Sequence, residues 1–112
     1  MTQAPAVPAI TDADFAQVVE GPGVGLVLVD FWAPWCVPCE KLSPIVQALA
    51  AEHAGTLAVV AMDVDANPVA SARHAVLSLP TLILFRDGQE AARITGTTSE
   101  KKVRKALAAH LQ

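Results

Sequence analysis

The stretch Leu26-Val27-Leu28-Val29-Asp30-Phe31-Trp32-Ala33-Pro34-Trp35-Cys36-Val37-Pro38-Cys39 changes character twice in 14 residues. Residues 26–32 are apolar without alternation, apart from Asp30. Such a run predicts a strand covered on both faces, and so a central one. Ala33-Pro34-Trp35 interrupts the run, and beyond Cys36 the apolar period becomes helical, with Leu42, Ile45, Val46, Leu49 and His53 on one side and Gly55 as the stop. Pro44 lies inside that helix and predicts a kink. A strand that runs into a helix start carries Cys36 to the carboxyl edge of a sheet, the usual place for a site in open α/β architectures.

Outward from this stretch, residues 57–64 read as a second buried strand. Asn67-Pro68 supplies an N-cap and a first-turn proline for a short helix ending near Arg73. Residues 81–85 and 91–94 are strands joined around Asp87-Gly88, a hairpin turn, and must be antiparallel. Upstream, Thr11 with Asp12 and Asp14 marks a helix start, Phe15, Val18 and Val19 share one side, and Gly21-Pro22-Gly23 ends it. The closing helix begins at Thr97-Thr98-Ser99-Glu100, where Thr97 and Glu100 have capping-box spacing. Val103, Ala106, Leu107 and Leu111 form its buried side, and Lys101, Lys102, Arg104 and Lys105 read as a solvated face. The order predicts an α/β fold with a mixed central sheet: a right-handed β-α-β unit, a β-hairpin and a closing helix, with helices on both faces. A domain over residues 10–112 follows a flexible arm of residues 1–9 that contains Pro5 and Pro8.

With 112 residues, 53% hydrophobic and 17% charged, the chain fits one domain large enough to bury a core. No apolar run approaches the roughly 18 residues of a membrane span. Residues 1–8 hold neither a cation nor an apolar core, so no secretory signal is expected and cytoplasmic residence is. The net charge of −3 provides no basic field for nucleic acid. It conceals an asymmetry: residues 1–70 hold one cation, Lys41, against eight acids, whereas residues 71–112 hold seven cations against three. Two cysteines cannot build a disulfide framework or complete a four-ligand zinc site. His53, His74 and His110 have no partner at metal-binding spacing and read as structural or surface residues, so no metal is expected.

The chemistry therefore rests on Cys36-Val37-Pro38-Cys39. A cysteine at a helix N-terminus has a lowered pKa, because free N–H groups and the helix dipole favour the thiolate that attacks disulfides. Cys36 fits an exposed nucleophile, and Cys39, one turn further on, is within reach of its sulfur. Pro38 loses no hydrogen bond in a first turn and stiffens the loop. The spacing alone leaves redox, structural and metal roles open; a strand before and a helix after favour redox. Asp30, a carboxylate within an apolar strand, is expected to be desolvated and able to exchange a proton near neutrality, unless it ends the strand and is solvated. Pro80 opens a strand, where proline is tolerated and a cis bond is possible.

These residues, from Val29 to Cys39 with Pro44 downstream, resemble the active-site signature of the thioredoxin family, and the likeness extends to Asp65-Ala66-Asn67-Pro68, Leu79-Pro80-Thr81, Phe85-Arg86-Asp87-Gly88 and Gly96. It implies the thioredoxin fold over residues 10–111 and protein-disulfide reduction by a dithiol electron carrier. Cys36 would attack, Cys39 resolve, and Asp30 accept a buried proton. Trp32 and Trp35 would frame the site. A docking rim would comprise Trp35, Val37, Pro38, Val76, Leu79, Pro80 and Gly96, with Pro80 the family's cis-proline. The resemblance also implies a redox-active Cys36–Cys39 disulfide in place of any bound cofactor, an NADPH-dependent thioredoxin reductase as electron source, disulfide-containing proteins as substrates, and a monomer. Val37 replaces the usual glycine between the cysteines, Ala61 a lysine that commonly faces the buried acid, and Glu40 a frequent lysine after the second cysteine. Together these predict a less electropositive site. An oxidase or isomerase of the same fold is the first alternative, disfavoured by Pro38 where such enzymes have histidine. The second is a binding module using the apolar rim of Trp35, Val76 and Leu79, which would not need a reactive pair.

Overall fold

A computed structural model describes residues 7–111. A four-stranded sheet runs in the order β2-β1-β3-β4, from β1 (Leu26–Trp32), β2 (Leu57–Asp63), β3 (Thr81–Arg86) and β4 (Gln89–Thr95). β1 pairs parallel with β2 and antiparallel with β3, and β3 pairs antiparallel with β4, so the expected mixed sheet forms with β1 inside it.

Side chains alternate across a strand, and each face of the sheet has its own helices. Val27, Val29 and Phe31 join Val60, Met62, Ile83 and Phe85 beneath α1 (Asp12–Phe15), a π-helical turn (Ala16–Glu20) and α3 (Pro68–Arg73), which contribute Phe15, Val19 and Ala70. Leu26 and Leu28 join Leu57, Val59, Leu82 and Leu84 on the other face, beneath α2 (Val37–Glu52) and α4 (Glu100–Ala108), which contribute Leu42, Val46, Leu49, Val103 and Leu107. Pro44 sits within α2, withholding the N–H that would bond the Glu40 carbonyl, and the helix continues through it.

β2 lies at the sheet edge rather than being buried along its length: Ala58 is exposed. Residues 1–6 of the expected arm lie outside the described residues. Its last residues are tied down, because the Ala61 N–H donates to the Pro8 carbonyl and the Ile10 N–H to the Ala61 carbonyl, both at 2.9 Å, making a short parallel bridge at Ala9. Val7 packs on the α2 side of the core.

Two helix starts differ from expectation. Asn67 precedes α3 but makes no side-chain cap. Asp12 provides it instead: its carboxylate accepts the N–H groups of Val69 and Ala70 at 2.9 and 2.8 Å, while Asn67 Oδ1 accepts the Asp12 N–H at 3.0 Å. The α4 cap is Ser99, whose hydroxyl accepts the Lys102 N–H at 3.2 Å; the Thr97–Glu100 box does not form. Glu100 pairs with Arg104, which also grips Glu52 at the end of α2, so Arg104 joins two helices rather than being merely solvated. Thr11 caps α1 as expected, and Asp14 in addition completes a capping box with it. The β3–β4 turn has positive φ at both Asp87 (47°) and Gly88 (83°), the geometry that matches hairpin twist.

A candidate dithiol site at the carboxyl end of the central strand

After Trp32 the chain turns through Ala33-Pro34-Trp35, with the Cys36 N–H donating to the Ala33 carbonyl at 3.1 Å. Cys36 is the N-cap of α2, with extended backbone (φ −90°, ψ 100°), and Pro38 occupies the first turn without the loss of a hydrogen bond. Cys36 and Cys39 form a disulfide with their Cα atoms 5.3 Å apart. The Cys39 N–H donates to Cys36 Sγ at 3.2 Å. A sulfur that caps a helix receives a backbone donor and the positive end of the dipole, both of which favour the thiolate over the thiol.

The expected exposure of Cys36 is not found in this disulfide state: Cys36 is 3% and Cys39 5% exposed, packed with Ala33 against Trp32, Val64 and Leu79. Accessible surface therefore does not distinguish the two sulfurs, whereas position in the helix does. Cys36 is outside the first turn and accepts from it; Cys39 is inside the turn and supplies the donor.

Leu79–Pro80 is a cis peptide bond, and Thr81, fully buried at the start of β3, donates its hydroxyl to the Ser78 carbonyl at 2.6 Å across the same bend. The Gly96 N–H donates to the Pro80 carbonyl at 2.8 Å from a backbone with φ of +77°, a conformation glycine adopts without strain. Upstream of the bend, Arg93 donates to the carbonyls of His74 and Ala75, holding the end of α3 where Ala75 has a φ of 53°. Leu79 thus packs against the cysteines, and Gly96 is tied to the Pro80 carbonyl at the adjoining bend. Val76, like Leu79, is partly buried against the core on the α1 side, and Leu77 beside it is 92% exposed. Trp35 is 67% exposed, Val37 and Pro38 are also exposed, and Trp32 packs against the disulfide. The Trp35 indole donates to Asp65 Oδ2 at 2.8 Å. Asp65 lies 30 residues further along the chain, and nothing in its local pattern announces that contact.

Asp30 is buried, 7% exposed, and β1 continues past it to Trp32, so it does not end the strand. Its place in the alternation puts it on the face that holds Leu26 and Leu28, beneath the helix that carries Cys39. Its flanking partners in register are Ala61 and Leu82. Oδ1 has no hydrogen-bond partner among the described residues, and burial pushes the pKa up from 3.8 to about 7. An acid of that pKa exchanges its proton readily at neutral pH.

Among the described residues no three His, Cys, Asp or Glu side chains gather to hold a metal, and no helix is long and apolar enough to cross a membrane. The site can perform two-electron exchange between a dithiol and a disulfide, with the sulfurs as the only redox groups the chemistry needs.

The thioredoxin family model matches residues 6–109. Thioredoxins of Staphylococcus aureus strains Mu50, MW2 and N315 are each 42% identical to the chain over 106 residues, covering 95% of it and 99% of their own length. With the mixed sheet, the capping cysteine disulfide and the cis-proline bend beside it, this coverage shows that the chain belongs to the thioredoxin family of thiol–disulfide oxidoreductases.

Proposed function

We propose that the chain is a general protein-disulfide reductase and dithiol electron carrier in which Cys36 attacks and Cys39 resolves. The observation that carries this reading is the Cys39 N–H donated to Cys36 Sγ at the N-cap of α2, because it selects which sulfur is held as thiolate. The Cys36 thiolate attacks one sulfur of a target disulfide; a Cys36–target bond forms, and the target's other sulfur leaves and takes a proton. Cys39, deprotonated, then attacks Cys36 Sγ and expels the second target sulfur as a thiol. Two electrons have passed to the target, and Cys36–Cys39 is a disulfide. Asp30 takes the Cys39 proton in this scheme, its raised pKa matching the task. Trp35, Val37, Pro38, Val76, Leu79, Pro80 and Gly96 form the rim on which target backbone docks.

Repeated turnover requires an external two-electron donor, and an NADPH-dependent thioredoxin reductase is the proposed one. A reduced dithiol persists in a reducing compartment, which supports cytoplasmic residence. Insulin reduction with NADPH and such a reductase tests the scheme: the native chain should turn over, Cys36→Ser should be inactive, and Cys39→Ser should accumulate a mixed disulfide visible by mass spectrometry. Turnover by Cys36→Ser, or a trapped target on Cys39 in that variant, would reverse the roles.

A further inference from the structure

A pocket of about 210 Å³ opens beside the dithiol loop, between Pro38, Lys41, Leu42 and Ile45 of α2, Pro80, and Thr97 and Thr98 ahead of α4. Pro38 and Pro80 are shared with the docking rim; the other residues have no part in the exchange chemistry. Lys41 is the one cation of residues 1–70, and among the described residues no carboxylate lies within ion-pair distance of it. Thr98 Oγ1 is buried without a hydrogen-bond partner among the described residues. Because Ser99 caps α4, the Thr98 hydroxyl is not used for capping either. An unpaired buried hydroxyl is costly and uncommon; Thr98 lines the pocket with this oxygen turned away from solvent, and rotation about χ1 would bring it to a ligand. Leu42, Ile45, Pro38 and Pro80 make the remaining walls apolar. A cation, an unused hydroxyl and apolar walls are complementary to a short aliphatic stem that ends in a carboxylate.

We propose that this pocket is a specificity subsite for a glutamate side chain flanking the disulfide of the target protein. The Lys41 ammonium pairs with the carboxylate, the Thr98 hydroxyl donates to it, and Leu42 and Ile45 cover the methylenes. The proposal rests on the reductase reading and names a substrate class for the same site.

The test uses peptides of one sequence whose single cysteine is in mixed disulfide with a chromophoric thiol, carrying Glu, Gln or Lys at each of the two positions on either side. The reduced full chain is the reagent, and kcat/KM ratios between peptides are the readout, since ratios do not depend on the fraction of a variant that folds. At one of these positions the Glu peptide should exceed the Gln peptide by roughly threefold to fivefold at low salt, as expected for an accessible ion pair. The preference should fade at about 1 M salt. The ratio should fall to one in Lys41→Gln, diminish in Thr98→Val, and invert toward the Lys peptide in Lys41→Glu. A ratio of one at every position in the native chain, an unaltered ratio in Lys41→Gln, or a preference for the Lys peptide set by Glu40 and Asp65 would overturn the subsite while leaving the reductase reading intact. Reduction of none of the peptides would remove that reading, and the subsite with it.

Discussion

Asp30 and Ala61 are register partners in the parallel β1–β2 pair, so the buried carboxylate has a methyl group beside it where a cation would have been expected from the family resemblance. Leu82 flanks it from β3, and Oδ1 is left unpaired. Desolvation is the cause of its raised pKa, with no opposing charge.

This relationship fixes the sign of a pH effect. Below the unfolded pKa, near 3.8, both states hold the proton and Asp30 carries no penalty. Between that value and the folded pKa of about 7, the unfolded chain releases its proton first, so stability falls as pH rises, and it levels off above about 7. The full penalty is on the order of 4 kcal/mol. Asp30→Asn should therefore be more stable than the native chain at pH 8 and lose that advantage at pH 3. The same variant should resolve mixed disulfides more slowly. Urea unfolding across the pH range and single-turnover kinetics check both halves; equal stability at pH 8 would mean that Asp30 is solvated or ion-paired in solution.

Because Cys36 Sγ caps α2 and Cys39 supplies the donor, the reduced protein should be alkylated first at Cys36, and at a pH below the ordinary thiol range. Peptide mapping after limited iodoacetamide treatment gives the order. Preferential labelling of Cys39 would contradict the capping argument.

Trp35 is exposed yet held by Asp65 through its indole N–H. Asp65→Ala should free the ring and raise KM for protein disulfides a few fold, with kcat nearly unchanged and stability altered by no more than about 0.5 kcal/mol, as is usual for surface positions. Steady-state insulin reduction and thermal unfolding measure the two effects separately, and a fall in kcat alone would place Asp65 in the chemistry rather than in positioning.

Asp12 satisfies two amide donors of α3 while its own N–H is bound by Asn67. Asp12→Ala should destabilise the chain by about 1 to 2 kcal/mol, the range for loss of a helix cap. Urea unfolding at neutral pH is the measurement. A loss below a few tenths would mean that water replaces the carboxylate.

The sequence by itself determined the elements, the mixed sheet and the location of the dithiol, because each depends on local periodicity and turn chemistry. The run of residues 26–32, apolar apart from Asp30, needs both faces covered, Asp87-Gly88 makes a tight hairpin, and Cys36 ahead of a helical period must lie at a helix start. Thr11 was legible as a cap for the same reason: its partner Asp14 is three residues away. Contacts between segments were not legible. The α3 cap comes from Asp12, more than fifty residues earlier, and displaces the local candidate Asn67 because its carboxylate reaches two N–H groups at once. Ser99 caps α4 instead of Thr97, as only the tertiary placement of the preceding loop fixes which hydroxyl meets the first free amide. The burial of Cys36, the Trp35–Asp65 bond and the pocket between Lys41 and Thr98 likewise exist only when α2, the cis-proline bend and the β4–α4 loop are brought together. Local sequence fixes what a residue can offer; packing between distant segments decides which partner, and how much water, it meets.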